Sequence, residues 1–331
     1  MSASTAEPVA GIVRDRAVLA VDLGGTAMKG AVVSASGDAV AELTRPTPSA
    51  DVVAALVSLF HDLRDLAADA GCDVIGAGVV TPGIVDEERG IVLYASNLDW
   101  RDVPLLDTIR AALDMPVALG HDVRAAGIAE RLIGAARGFD DFVLVPIGTG
   151  VAAALITAGG TVTGATGAAG EFGHIPVIPG GEECTCGQRG CLEVYVSGAG
   201  LARRYAAAGG SDLSSREIVA RLGTDPTADR VWSEAVDVLA QGLNIMTLLL
   251  DPGVIVLGGG FSRAGDALMV PLTERMSDGL AWRSRPLVVR SELGGDAGRT
   301  GAAILAFRAA GRSDLPASWA ERFEKRPVLA E

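Results

Sequence analysis

Aromatic side chains make up only 4% of this 331-residue chain, and histidine occurs three times. With so few rings, the interior has to be filled by Val, Leu, Ile and Ala. An apolar share of 49% supplies enough of them for one large domain or two moderate ones. Cationic clusters are missing too. Lys and Arg number 28 against 41 Asp and Glu, a net charge of −13. A chain so acidic, with no basic patch, binds a phosphodiester backbone poorly, so no nucleic acid is expected as a partner. One nucleotide is still allowed, because backbone N–H groups can hold its phosphates. Long hydrophobic runs are absent. The longest, residues 142–158, is broken by Pro146 and Gly148-Thr149-Gly150, too short and interrupted to span a bilayer. Residues 1–16 lack the apolar core of a signal peptide and read as a short disordered lead. No P-loop pattern G-x-x-x-x-G-K-[ST] occurs, which excludes that nucleotide class.

Cysteine is scarce but concentrated. Three of the four fall within eight positions, Cys184, Cys186 and Cys191, with His174 upstream. Three thiols and an imidazole make a closed tetrahedral shell, so a structural rather than catalytic Zn²⁺ is expected. A disulfide or unrelated thiols are the alternatives, but Cys184 and Cys186 are too close in sequence to pair comfortably. Gly180, Gly181, Gly187 and Gly190 let the chain wrap closely around an ion. Ligand cysteines without a signal peptide imply a reducing cytoplasm. Glu171 and Glu193 flank the cluster, so whatever the metal folds also fixes two carboxylates.

Along the chain, short apolar strands are expected at 17–21, 28–33, 39–43 and 74–80, with a helix over 51–70 that Asp51 caps and Gly71 stops. A helix at 105–113 and a strand at 117–119 lead to His121-Asp122 and a helix at 123–133. The pattern then restarts, with strands at 142–147 and 151–157 around Gly148-Thr149-Gly150. Helices fit 198–208, 214–222, 228–250 and 300–310, and strands fit 254–257 and 287–289. Each half therefore opens with a hairpin whose tip carries Gly and Thr, and two such tips can clamp a phosphate chain. Ordinary glycine turns are the bland alternative for either hairpin alone.

Several of these segments resemble the ROK sugar kinases. Asp22-Leu23-Gly24-Gly25-Thr26 is similar to the first phosphate motif of that family. Glu171-Phe172-Gly173-His174 and the run from Cys184 to Glu193 are similar to its signature and zinc motif. Thr81-Pro82-Gly83, Asn97-Leu98 with Trp100, and Asp251-Pro252 with Gly258-Gly259-Gly260 also match, so the resemblance covers roughly residues 18 to 310. It implies an α/β, actin-like ATPase (ribonuclease H-like) fold, two domains around a cleft, with a structural zinc loop. Residues 17–122 with about 302–320 would form a small N-terminal domain, and 123–301 a large C-terminal one. The family also contains helix-turn-helix repressors. About 17 residues precede the first strand here, too few for that domain, so the kinase branch is expected.

The resemblance further implies roles. Asp122, past the end of a strand where α/β sheets bind ligands, occupies the position of the catalytic base that takes a proton from the sugar's 6-hydroxyl; a helix N-cap is its structural alternative. Gly83, Asn97, His121, Glu171, His174 and Glu193 would contact sugar, and Glu193 could instead be a charged first turn of a helix. Asp22 would hold Mg²⁺. Gly24, Gly25, Thr26, Gly148, Thr149 and Gly150 would face the phosphates of ATP, and Gly259 and Gly260 the adenosine. Lys29 adds charge or is simply solvated. Many family members have Asn where this chain has His121; a neutral imidazole replaces it in kind, and its protonation below about pH 6.5 is expected to weaken sugar binding. Ala152-Ala153 stands where glycines are common in the family.

The expected activity is ATP-dependent phosphorylation of a hexose, glucose first and an N-acetylhexosamine second, by a homodimer or homotetramer. Removing zinc is expected to damage sugar binding more than ATP binding. Two other classes compete. Residues 148–153 fit the dinucleotide fingerprint G-x-G-x-x-A, which must open a helix. A non-catalytic sugar-binding regulator would share the sugar contacts without transferring phosphate.

Overall fold

The computed structural model describes residues 15–321. The lead expected over 1–16 lies outside them except for its last two positions, and there the expectation is corrected: Arg16 already opens the first strand, β1 (Arg16–Leu23). Ala17 to Val21 are fully buried, because β1 runs mid-sheet and is covered on both faces. It turns at Gly24–Thr26 into β2 (Ala27–Ser34), then β3 (Ala39–Pro46), an edge strand of alternating exposure. Helix α1 (Val52–Asp69) buries Leu56, Leu59, Phe60 and Leu63 at helical spacing. Asp51 sits at its N-cap, but in a left-handed conformation (φ 54°) with no side-chain cap bond. The chain continues through β4 (Asp73–Thr81) and a meander, β5 (Ile84–Asp86), β6 (Ile91–Ala95) and β7 (Trp100–Val103). Then follow α2 (Leu105–Leu113), β8 (Val117–His121) and α3 (Asp122–Ile133).

The second half repeats the plan with β9 (Phe142–Pro146), β10 (Ala154–Thr157) and β11 (Gly160–Thr161). After the cysteine loop come α4 (Leu192–Val196), α5 (Gly198–Ala207), α6 (Ser215–Val219) and α7 (Pro226–Leu250). Then β12 (Val254–Gly258), α8 (Asp266–Asp278), β13 (Leu287–Arg290), α9 (Ala297–Ala309) and α10 (Asp314–Ala320) complete the chain. The two main sheets have orders β3-β2-β1-β4-β8 and β11-β10-β9-β12-β13. Each joins an antiparallel hairpin to two parallel strands in the same relative positions. Val151 bridges back to Ile147 and the chain enters β10, not a helix, so the dinucleotide fingerprint lacks the context it needs.

Small residues bring α9 back onto the first sheet. A Cβ at Gly78 of β4 would collide with the Ala302 carbonyl, and one at Gly301 with the Ala125 carbonyl of α3. Val18, Ala20, Val80, Ala125, Ala129, Ala302, Ala306 and Phe307 close a core there. The other side of α3 meets the second sheet, where a Cβ on Gly127 would lie 2.9 Å from that of Ala154. Both helices therefore start near one end of the sheets and carry their first residues into the site.

Candidate active site

β8 ends on His121 and α3 begins on Asp122. The His121 Nδ1 accepts the N–H groups of Val123 (3.2 Å) and Arg124 (3.4 Å), so His121 is the helix cap. Asp122, whose alternative reading was that same cap, is instead the first residue of the helix and shares the Val123 N–H with His121. Its Oδ1 accepts the Val123 N–H at 2.7 Å and lies 3.3 Å from His121 Nδ1. The Asp122 side chain keeps 28% of its surface open. Burial pushes its carboxyl up to about 6, against the pull of the Val123 N–H and Arg124. Burial pushes His121 down to about 4, with Arg124 adding to the shift and Glu87 opposing it. A ring that accepts at Nδ1 carries its proton on Nε2 and is neutral. The expected titration of His121 near pH 6.5 is therefore corrected downward.

Arg124, which no sequence pattern marked, braces the site from behind. Its side chain is 3% exposed and pairs with Glu87 through Nε (2.9 Å) and Nη2 (2.8 Å). It also donates to the carbonyls of Gly167 (3.0 Å) and Val85 (3.3 Å). Glu87 accepts the His121 N–H at 3.1 Å as well, so one half-buried ion pair fixes the end of β8, the start of α3 and the loop ahead of Glu171.

Asp22, near the end of β1, is pushed up to about 6 by burial first and by Asp122 second, with Lys29 and Arg299 opposing. A Cβ on Gly298, in the first turn of α9, would stand 2.9 Å from Asp22 Oδ2. A buried carboxylate whose ionisation cost is raised by a second one fits a dication in its donor chemistry. The first glycine turn is braced by Thr47, whose hydroxyl donates to the Gly24 carbonyl (2.6 Å) and whose N–H donates to that of Thr26 (3.0 Å). Asn97 lies over it, 2.9 Å from where a Gly25 Cβ would be. Gly83 has φ 105° and a Cβ there would strike the Tyr94 carbonyl, so only glycine fits. Lys29 donates to the Gly295 carbonyl at 3.3 Å, one contact beyond the solvated-lysine reading.

The second turn, Gly148–Gly150, is exposed at its tip. Beside it opens a cavity of about 590 Å³ lined by Thr149, Ser215, Arg216, Gly260, Arg263 and the Trp232–Phe261 pair, whose ring centroids are 4.7 Å apart. Sequence reasoning found Gly148, Thr149 and Gly260 of this wall and missed the rings and both arginines, which sit on elements distant in sequence. Gly259, φ 76°, packs against the Ile147 carbonyl, which leaves Gly260 to face the cavity.

The ligand atoms of His174, Cys184, Cys186 and Cys191 all lie within 4.8 Å of one another. Cys186 Sγ and Cys191 Sγ are 3.7 Å apart, and Cys184 Sγ is 3.8 Å from His174 Nδ1. A tetrahedron of bonds near 2.3 Å has edges of about 3.8 Å, so these residues fit Zn²⁺. His174 turns Nε2 toward Glu171, 3.9 Å from its Oε2. Glu193, in the first turn of α4, accepts the Val151 N–H at 2.8 Å. It is both a first-turn carboxylate and a brace on the second glycine turn.

The profile of the ROK family matches residues 18–309. The chain belongs to the ROK family. Its fold is accordingly the actin-like ATPase fold, with two α/β halves around a cleft. Among ROK relatives it is 34% identical over 318 residues to a glucokinase of Halalkalibacterium halodurans, covering 87% of this chain and 94% of the relative. It is 30% identical to the N-acetylgalactosamine kinase AgaK of Shewanella, covering 86% and 95%. A ROK glucokinase of Streptomyces griseus, solved in complex with glucose and AMPPNP, superposes with a TM-score of 0.76 at 32% identity, covering 88% of this chain and 99% of that one. Among the described residues, no helix is long and apolar enough to cross a membrane.

Proposed function

We propose that this protein is an ATP-dependent hexose kinase that phosphorylates the sugar 6-hydroxyl, with glucose as substrate and Asp122 as general base. The observation that carries the reading is the state of Asp122. It stands just after the His121 cap, bonds Val123 through Oδ1 alone, is partly open, and is held near a pKa of 6, where a carboxyl is a usable base at neutral pH. Asp122 takes the hydroxyl proton as that oxygen attacks the γ-phosphorus; the bond from phosphorus to the bridging oxygen breaks, and ADP leaves with the electron pair. When bound at Asp22, Mg²⁺ supplies neutralisation of phosphate charge. The Gly24–Thr26 and Gly148–Gly150 turns present N–H groups and hydroxyls to the phosphates, and the cavity with Trp232 and Phe261 takes the adenosine. Gly83, Asn97, Glu171, Glu193 and the Nε2 side of His174 orient the sugar.

The glucokinase relatives support glucose. The N-acetylgalactosamine kinase relative supports a second reading, an N-acetylhexosamine as acceptor. A coupled ATP assay across glucose, mannose, fructose, allose, N-acetylglucosamine, N-acetylgalactosamine and N-acetylmannosamine decides between them by kcat/KM. Sugar binding without ADP release on any of them would establish a non-catalytic regulator instead.

A further inference from the structure

The zinc loop grips the C-terminal side of the second glycine turn at Val151. The Gly173 N–H, one residue before His174, donates to the Val151 carbonyl at 3.2 Å. Glu193, two residues after Cys191, accepts the Val151 N–H at 2.8 Å. The Gly198 N–H, at the start of α5, donates to the Gly148 carbonyl at 2.8 Å. The fit is tight. A Cβ on Gly173 would strike the Val151 carbonyl, and one on Gly150 would come within 2.8 Å of Glu193 Oε2. Leu192, Val196, Phe172 and Val151 bury the backbone around these contacts.

We propose that Glu193 is a positioning residue for the nucleotide as well as a sugar contact: one carboxylate oxygen fixes the phosphate turn and the other is left for a sugar hydroxyl. Among the described residues, Oε2 takes the Val151 N–H and Oε1 accepts no hydrogen bond, so the two acceptor positions serve two neighbours without conflict. A Val151 N–H without its acceptor would re-aim, and the Gly148–Gly150 donors would lose the geometry set for a phosphate. The sugar half of the proposal rests on the function proposed above; the nucleotide half does not.

The test is calorimetric titration of AMPPNP with Mg²⁺, without sugar, into the zinc-loaded protein and its Glu193→Ala and Glu193→Gln variants. Zinc content and melting temperature confirm that each is folded. The alanine variant is expected to bind AMPPNP about 5- to 10-fold more weakly, the loss of one charge-assisted hydrogen bond. The glutamine variant is expected to stay within about 3-fold of wild type, since its amide oxygen still accepts the Val151 N–H. Unchanged or tighter AMPPNP binding by the alanine variant overturns the proposal and leaves Glu193 a sugar contact alone. A glutamine variant as weak as the alanine one traces the effect to charge and overturns the hydrogen-bond account. If Glu193→Ala does not load zinc, Glu193→Asp withdraws the carboxylate from the Val151 N–H while keeping its charge, and the same loss of affinity is required. Because no sugar enters the titration, an enzyme inactive on every sugar would not alter its outcome.

Discussion

The two halves of the molecule share one strand order and one kind of glycine turn, yet the turns are built differently. The first stands on ordinary polypeptide, with Thr47 beneath it and Asn97 above, and its half carries the acids, Asp22 at the end of β1 and Asp122 at the start of α3. The second carries no acid of its own. It leans on the metal-ligand loop and opens onto the cavity of Trp232 and Phe261. A repeated scaffold has thus been given two duties. One half gathers charge where a proton and a dication are handled. The other is shaped for close approach and held stiff from outside.

The comparison breaks most visibly at Asp122. Asp122→Asn keeps the size and the Val123 hydrogen bond, since the amide oxygen can still accept, but removes the base. Turnover is expected to fall by about 10²- to 10⁴-fold with AMPPNP affinity little changed. Near-normal turnover would move the chemistry off the first half.

Zinc removal attacks the other half. Chelation, or Cys184→Ser, is expected to weaken glucose and AMPPNP binding alike, each by at least about 10-fold. The sequence expectation is that sugar binding suffers more; the Gly173 and Glu193 bonds to Val151 extend the loss to the nucleotide. Loss confined to glucose would restore the simpler view.

The acids also set a pH limit. A carboxyl raised to about 6 is increasingly protonated, hence inactive as a base, as pH falls through that value. kcat/KM is expected to drop about fivefold between pH 6 and pH 5 and to be nearly level above pH 7. Asp22, raised to about 6 by burial and by Asp122, protonates over the same range. A rate still level at pH 5 would place the base elsewhere.

Much of this was legible in the chain, and what was not has physical reasons. The hairpins, α2 and α7 follow from hydrophobic period, and the metal cluster from ligand type and spacing. The meander escapes because its strands are 3, 5 and 4 residues long, too short for a period to show. Helix α8 escapes because Pro271 lies inside it and argues locally against a helix. By sequence Asp122 alone reads as a cap, and only the direction of Nδ1 shows that His121 takes that place. The Trp232, Phe261 and Arg263 wall assembles from α7 and the segment after β12, and nothing local marks those residues as neighbours. The close seat of α9 on β4 is equally nonlocal. Gly78→Ala drives a methyl into the Ala302 carbonyl, and about 1–3 kcal/mol of stability should be lost in urea denaturation; an unchanged midpoint would show that α9 can shift without cost.

The smallest expected effect is at His121, and it separates buried electrostatics from ordinary titration. Its Nδ1 already accepts two backbone N–H groups, so a proton there would displace both and lie beside Arg124. Burial further disfavours the charged ring, and Glu87 opposes this only in part. The ring should stay neutral from pH 8 to pH 5. The chain has three histidines, so ring-proton NMR resolves them, and a His121→Asn variant assigns the signal by its loss. A flat chemical shift across that range is the expected outcome. A midpoint near 6.5 would mean that Nδ1 is not committed to the helix, and the cap just ahead of Asp122 would go with it.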